Sequence, residues 1–339
     1  MSKEKAARMT GGSAARLGGG LMRAIYALAL CLPQLAAADA WPAKPVRFIV
    51  PIPAGASSDV AARVIAERLA KTWNQPVIVE NRPGAGTIPG MNALAKAAPD
   101  GYSFGWVIPA HAINPSLYAN LPYDTLRDFA GVTLVYAIKP AIVAAPDFPA
   151  GTVEELVAIA KAQPGKLSYA STATGSSVHL VGELFKLKYG VDILHIGYKG
   201  GTAAHPDVMS GRVPLMFDAL PNALPHIKSG KLKLLAVVSN TSVPGHPEFP
   251  LLTGLLSAQA TVGWNGIVVP AKTPREMVAR LNADIIAAVR SPEVQERFAA
   301  FPVDTVVSTP ERFDAFIRED VARWAEVVKR AGIKIEQGN

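Results

Sequence analysis

Two small-residue loops carry the residue types best suited to holding an anion. Pro53-Ala54-Gly55-Ala56-Ser57-Ser58-Asp59 follows the β-branched run Val46 to Val50, and Ser171-Thr172-Ala173-Thr174-Gly175-Ser176-Ser177 follows the run Leu167 to Ala170. A loop of this kind at a strand's carboxyl end exposes backbone N–H groups where a helix begins, and the helix dipole there favours negative charge. A carboxylate could dock at either loop, and two such loops on opposite domains could hold the two ends of a polar ligand. The first loop reads equally well as an ordinary β-α turn with Ser or Asp as cap.

Other polar residues are ambiguous. His179 opens the helix after the second loop and, taken alone, reads first as a structural or capping residue. Lys199 in Tyr198-Lys199-Gly200-Gly201 and Asp218 in Met216-Phe217-Asp218 each end a strand-like run, so each could face a cleft or simply be solvated. Gly84-Ala85-Gly86-Thr87-Ile88-Pro89-Gly90 is a poor dinucleotide fingerprint, because Gly90 lies four residues after Gly86 rather than three and Pro89 interrupts it. The sequence has no phosphate-binding G-x-x-x-x-G-K-[ST], no G-x-S-x-G and no H-E-x-x-H. Its six His, at 111, 179, 195, 205, 226 and 246, lack ligand spacing. No cofactor, metal or catalytic apparatus is expected.

The elements that would position these loops alternate in type. Strand-like runs at Val46–Val50, Val77–Glu80 and Ser103–Ile108 are separated by helical patterns at Asp59–Lys71 and Met91–Ala98, and Ala110–Tyr118 supplies a further loop and helix start. Val132 to Ala145 is long and mostly apolar. Beyond it come helix 152 onward with Thr152 as cap, strand Leu167–Ala170, helix Val178–Lys188, strand Ile193–Ile196, helix Thr202–Ser210, and strands Val213–Phe217 and Leu232–Val238. Trp264–Val269 is again a strand. Thr273-Pro274 reads as N-cap and N1 of a helix whose face is Met277, Leu281, Ile285 and Val289. Thr309-Pro310-Glu311 opens the last helix, striped by Phe313, Phe316, Ile317, Val321, Trp324 and Val328 and stopped by Gly332. The class is α/β, with a mostly parallel sheet wrapped on both faces.

The N-terminus reads as an export signal. Arg23 precedes the apolar stretch Ala24 to Leu32, and Ala38-Asp39-Ala40 places small residues where a signal peptidase cuts, after Ala40. The stretch is about half the roughly 20 residues a membrane anchor needs. Residues 1–21 make a long leader, so translation could equally start at Met22. Leu30 before Cys31 does not suit lipid attachment, and a soluble mature protein is expected.

Composition bounds the partners. The 339 residues are 50% hydrophobic and 18% charged, enough to bury a full core, and two domains are expected. The formal charge is +7, but the first 40 residues hold five Lys/Arg and two acids, leaving 29 basic and 25 acidic residues and a net +4. So mild a charge argues against a dedicated nucleic-acid binder. The single Cys31 lies in the leader, so the body has no thiol chemistry.

Several stretches in order resemble the periplasmic solute-binding receptors of tripartite tricarboxylate transporters, the Bordetella-uptake-gene (Bug) receptor family. They are Trp41-Pro42 with Pro45-Val46-Arg47, Pro51 to Arg63, Val79 to Gly86, Ala112 to Tyr118, Tyr169-Ala170-Ser171 with His179-Leu180, His195 to Gly200, and Leu215 to Asp218. The resemblance implies a two-lobed type II periplasmic-binding-protein fold closing over a small carboxylate. Residues 41–139 and 265–339 would form lobe 1 and 140–264 lobe 2, after a signal at 1–40. The site would comprise Ile52, Pro53, Ala54, Gly55, Ala56, Ser57, Ser58, Asp59, His111, Ala112, Ser171, Thr172, Gly175, Ser176, Ser177, His179, Tyr198, Lys199 and Asp218.

The sequence departs from the family pattern at Ile52, where Phe or Tyr is usual, at Ala56 for Gly, at Pro109-Ala110, and at Gly197 for Pro. Loss of a ring at Ile52 and the added methyl at Ala56 imply an altered ligand preference.

The expected function is capture of a mono-, di- or tricarboxylate by a monomeric exported receptor. It would deliver the ligand to membrane permease subunits driven by an ion gradient, without nucleotide. Hinges are expected near Tyr136–Ala141 and Val262–Gly266. A periplasmic sensor signalling to a membrane partner is the alternative. A hydrolase using His179 with a nearby Ser lacks a nucleophile motif.

Overall fold

The computed structural model describes residues 41–255, 263–299 and 303–333. The proposed leader with Met22, Cys31 and the Ala40 cleavage site lies outside the described residues, as does Val262 of the second hinge segment.

Continuous apolar strands alternate with helices in two six-stranded sheets, because strands covered on both faces need apolar side chains on both. The first sheet is built from β1 (Val46–Val50), β2 (Val77–Asn81), β3 (Ser103–Val107), β4 (Phe129–Ile138), β11 (Gly263–Pro270) and β12 (Val303–Thr305), in the order β12-β4-β11-β3-β1-β2. The second has β5 (Pro140–Ala144), β6 (Ser168–Ser171), β7 (Leu194–Gly197), β8 (Leu215–Ala219), β9 (Lys233–Val238) and β10 (Leu251–Leu252), in the order β10-β9-β5-β8-β6-β7. The chain is thus an α/β protein with two lobes.

The apolar run Val132–Ala145 is divided between the lobes. β4 ends at Ile138, Lys139 intervenes, and Pro140 opens β5, a first-strand position where its missing N–H costs no ladder bond. This crossing also corrects the expectation of mostly parallel sheets. β1 runs parallel to β2 and β3, β6 to β7 and β8, and β9 to β10. β11 is antiparallel to β3 and β4, β12 to β4, and β5 to β8 and β9. Strands that carry the chain between sheets enter against the direction of the β-α-β units, so half of the pairings are antiparallel.

The helices of the first lobe are α1 (Ser57–Trp73), α2 (Ile88–Ala95) and α3 (Ala110–Leu117). Those of the second are α4 (Val153–Ala162), α5 (Ser177–Tyr189), α6 (Gly201–Met209) and α7 (Leu220–Lys228). After β11 come α8 (Arg275–Arg290), α9 (Pro292–Phe298) and α10 (Pro310–Ala331). Thr152 and Glu155 form a reciprocal capping box on α4, Thr309 accepts from Arg312 N–H at the start of α10, and Gly332 ends α10 at φ 63°. At α8 the expected cap is displaced by one residue. Pro274 occupies N-cap, and the buried Thr273 hydroxyl donates instead to the Pro270 carbonyl, 2.7 Å away. On the same helix Val278 is buried where Met277 was expected.

Phe48 packs at tilted angles on Phe104 and Trp106 in the first core, and Trp73 meets Phe104 edge-on. α10 packs on α3 and β4 and also reaches α5 of the second lobe. Among the described residues no helix is long and apolar enough to cross a membrane.

Candidate functional site

Topology places the two loops on a common side. β4 runs in the same direction as β3 and β1 and extends past their carboxyl ends, because Leu134 and Val107 both lie opposite Gly266 and β4 continues to Ile138. β5 begins opposite Ala219, at the carboxyl end of β8 and hence of its parallel neighbour β6. The single residue Lys139, paired with Asp304, therefore joins the two carboxyl edges, where ligands of open α/β sheets bind. The loops after β1 and β6 leave from these edges. A small crevice lined by Ser57, Ala61, Tyr136, Ile138, Pro221, Phe298 and Val303 brings the first turn of α1 against α7 of the other lobe.

The two loops share one backbone device. In each, a turn is closed by Ala56 N–H to the Pro53 carbonyl (3.3 Å) or Ser176 N–H to the Ala173 carbonyl (3.1 Å). The third residue of each turn is glycine at positive φ, Gly55 at 83° and Gly175 at 80°, as a type II turn requires. Extended N-cap residues follow, Ala56 (φ −67°, ψ 154°) and Ser176 (φ −69°, ψ 158°). Four residues after each glycine, a side chain takes the glycine's own N–H: Gly55 N–H donates to Asp59 Oδ2 at 2.8 Å, and Gly175 N–H to His179 Nδ1 at 3.0 Å. Helix geometry leaves the N–H groups of Ser57, Ser58 and Asp59 without intrahelical acceptors. In the second loop Ser176 Oγ accepts His179 N–H, so Ser177 and Val178 contribute the corresponding donors.

The group beneath each turn differs. Asp59 is buried, and Asn81 Nδ2 donates to its Oδ1 (2.7 Å) while Arg63 Nε donates to its Oδ2 (3.0 Å). Burial pushes the Asp59 carboxyl up, but the hydrogen bonds from Asn81, Arg63 and Gly55 and the Arg63 charge outweigh it and leave it below its ordinary value. Asn81 also donates to the Ile52 carbonyl at 3.0 Å, fixing the start of the loop. Ser58 is buried, and its hydroxyl donates to Asn265 Oδ1 (2.9 Å), which also accepts Trp106 Nε1–H (2.7 Å).

His179 is buried and stacks on His195 with ring centroids 3.7 Å apart. His195 Nε2 lies 2.7 Å from Ser171 Oγ, whose hydroxyl donates to the Ala173 carbonyl at 3.0 Å. That donation makes Ser171 the acceptor from His195. Burial pushes both imidazoles down to about 4, with the Lys186 charge adding to the shift at each.

The expected residues separate by exposure. Pro53, Ala54, Gly55 and Lys199 are exposed; Ile52, Ala56, Ser57, Thr172, Ser176, Ser177 and Tyr198 are half-buried; Ser58, Asp59, Ser171, Gly175 and His179 lie beneath the loops. Tyr198 OH donates to Asp207 (2.8 Å), while its N–H and that of Gly200 lace the segment after β7 to the Ser171 and Thr172 carbonyls of the second loop.

Three residues face inward. Asp218 is fully buried, 2.8 Å from His205 Nε2, and accepts its neighbour Ala219 N–H. His111 and Ala112 are buried on α3. The His111 ring packs against Tyr123 and Phe129, neither of its nitrogens has a partner among the described residues, and burial holds it down at about 3. The sequence reading missed Asn81, Arg63, Asn265 and His195 as the supports of the loops. The repeated glycine-to-acceptor spacing of four residues points to Asp59 and His179 but not to these four; Asn81, Asn265 and His195 reach the loops through tertiary packing.

Comparison with known proteins agrees with this fold. Protein BugT of Bordetella pertussis is 36% identical over 302 residues, covering 88% of this chain and 93% of the relative. A solved R. palustris protein with adipate has TM-score 0.80 and 30% identity, covering 87% of this chain and 100% of its own. MatC from Rhodopseudomonas palustris with bound malate has TM-score 0.75 and 28% identity, covering 85% and 100%. The periplasmic binding protein BugD has TM-score 0.77 and 34% identity, covering 87% of this chain and 100% of its own, so the fold is that of the two-lobed periplasmic binding proteins. The matching family model is that of a receptor rather than an enzyme, which removes the hydrolase alternative. A family model described as the tripartite tricarboxylate transporter family receptor matches residues 61–333, and the chain belongs to that family.

Proposed function

We propose that this solute-binding receptor captures a small mono-, di- or tricarboxylate between its lobes in the periplasm and delivers it to membrane permease subunits of a tripartite tricarboxylate transporter. The supporting observation is the repeated loop, one copy per lobe, each leaving the carboxyl edge of its sheet beside the same crossing. The ligand-facing groups are the N–H donors of the first helical turns and the Ser57, Thr172, Ser176 and Ser177 hydroxyls. Asp59, Ser171 and His179 hold these donors in place from below. Backbone N–H groups, hydroxyls and bridging water together bind a carboxylate without a buried Arg. Adipate and malate in the related structures suit this chemistry.

A ligand touching both loops favours the closed arrangement by its differential affinity, with bending at Tyr136–Ala141 and at the start of β11, Gly263–Gly266. Export with cleavage after Ala40 places the mature chain where the permease can receive it. Thermal-shift screening of the exported protein against aliphatic and aromatic acids, followed by calorimetry, tests the reading. A ligand at about 100 times its Kd stabilises by about 2.7 kcal/mol and is recovered unchanged. Absence of any shift across the panel contradicts it.

A further inference from the structure

We infer that His179 is a positioning residue for ligand capture, whose neutral imidazole sets the second loop and whose protonation on Nδ1 releases it. This rests on the reading that the second loop holds a ligand carboxylate.

Gly175 N–H donates to His179 Nδ1 at 3.0 Å, so Nδ1 carries no proton and the neutral ring holds its proton on Nε2. That nitrogen faces Glu183 Oε1 at 3.9 Å. Protonation of Nδ1 sets two N–H donors against each other inside a buried turn, and one of them must move. The moving partner is the loop, because the ring is clamped. His195 covers its face at 3.7 Å, and Tyr169 OH donates to Glu183 at 2.7 Å beside it.

The same stack ties the loop at a second point, since His195 Nε2–H donates to Ser171 Oγ and Ser171 to the Ala173 carbonyl. The two rings therefore govern both ends of the segment Ala173–Gly175 that precedes the ligand-facing turn of α5.

Burial and the Lys186 charge favour the neutral ring, while the Glu183 carboxylate opposes them. From α5 itself come Glu183 and Lys186, with Lys186 Nζ held on Glu183 at 3.0 Å. From β7 comes His195, and from β6 Tyr169. On β8, packed against α5, the Asp218 carboxylate is engaged by His205, and on α10 Asp320 is engaged by Trp264 and Arg323. A second proton on the stacked pair would put like charges face to face.

The test uses the full mature protein and adipate, with malate as a second probe, in calorimetric titrations from about pH 7 to about pH 4. Asn at this position keeps a side-chain acceptor near Nδ1 but does not titrate, so the ratio of wild-type to His179→Asn affinity cancels the ionisation of the acid. The ratio is expected to fall about twofold to fourfold on the acid side, and His179→Asn to bind more tightly than His179→Leu at neutral pH. Nitrogen NMR on the free wild-type protein, which needs no variant to fold, is expected to find the Nε2–H tautomer. Binding with parallel pH profiles in wild type and His179→Asn overturns this inference alone, as does an Nδ1–H tautomer. Failure of wild type to bind either acid at neutral pH overturns the receptor reading and this inference with it.

Discussion

The loops after β1 and β6 have nearly the same backbone and opposite foundations. Gly55 and Gly175 differ by a few degrees in φ, and each gives its N–H to a side chain four residues on. Under the first turn that side chain is an ionised carboxylate balanced by Arg63 and Asn81; under the second it is a neutral ring stacked on another. Backbone geometry thus decides which donors point outward, and the buried group decides the charge beneath them and the pH range over which the turn holds. A carboxylate at N3 is a natural brace for a helix start. An imidazole there adds no negative charge beneath an anion, which makes the second lobe the more favourable seat for an ionised ligand.

The largest expected effect comes from removing the first foundation. Asp59→Ala leaves Gly55 N–H, Asn81 and Arg63 without their acceptor and should cost about 2–3 kcal/mol in urea unfolding, against about 1–2 kcal/mol for His179→Leu. Equal losses would erase the distinction drawn between the loops.

Acid sharpens it next. The three imidazoles His111, His179 and His195 have folded values near 3, 4 and 4, below the unfolded value of 6.5. The unfolded chain therefore binds more protons between those limits, and stability is lost as pH falls from about 6.5 towards 4. Asp59 is shifted down, so its contribution persists to the ordinary carboxylate value of 3.8 and is lost only below it. Hydrogen exchange should find Gly175 N–H losing protection before Gly55 N–H as pH is lowered.

Smaller effects follow at single positions. Gly55→Ala meets no atom within 4 Å but must hold φ at 83°, so about 1–2 kcal/mol of backbone strain is expected in thermal unfolding. Ser57→Ala and Ser177→Ala should each weaken adipate binding about threefold to tenfold in calorimetry, the worth of one net hydrogen bond. Ile52→Phe should change the rank order of acids in a thermal-shift panel; an unchanged spectrum would place that side chain away from the ligand.

Much of the first level of this architecture was legible because it is local. Thr152, Thr309 and Gly332 cap helices through contacts within a few residues, and β-α alternation follows from apolar runs and Gly/Pro punctuation. The division of Val132–Ala145 between two sheets was not legible, since one apolar run satisfies one long strand or two short ones equally. Both loops were recognisable from composition. Their foundations were not, because Asn81, Asn265 and His195 reach the loops from residues 22, 207 and 24 positions away, a matter of tertiary packing. Asp218 looked available because strand-end charges often are, and His111 entered only through the family resemblance; the packed lobes turn both inward.

A crystal structure of the protein with adipate tests the central claim most directly. The account predicts carboxylate oxygens within hydrogen-bond reach of donors from both first turns, those of Ser57 and Ser177, with Asp59 and His179 still bound to Gly55 and Gly175. An acid seated on one lobe alone, or away from both helix starts, would contradict it.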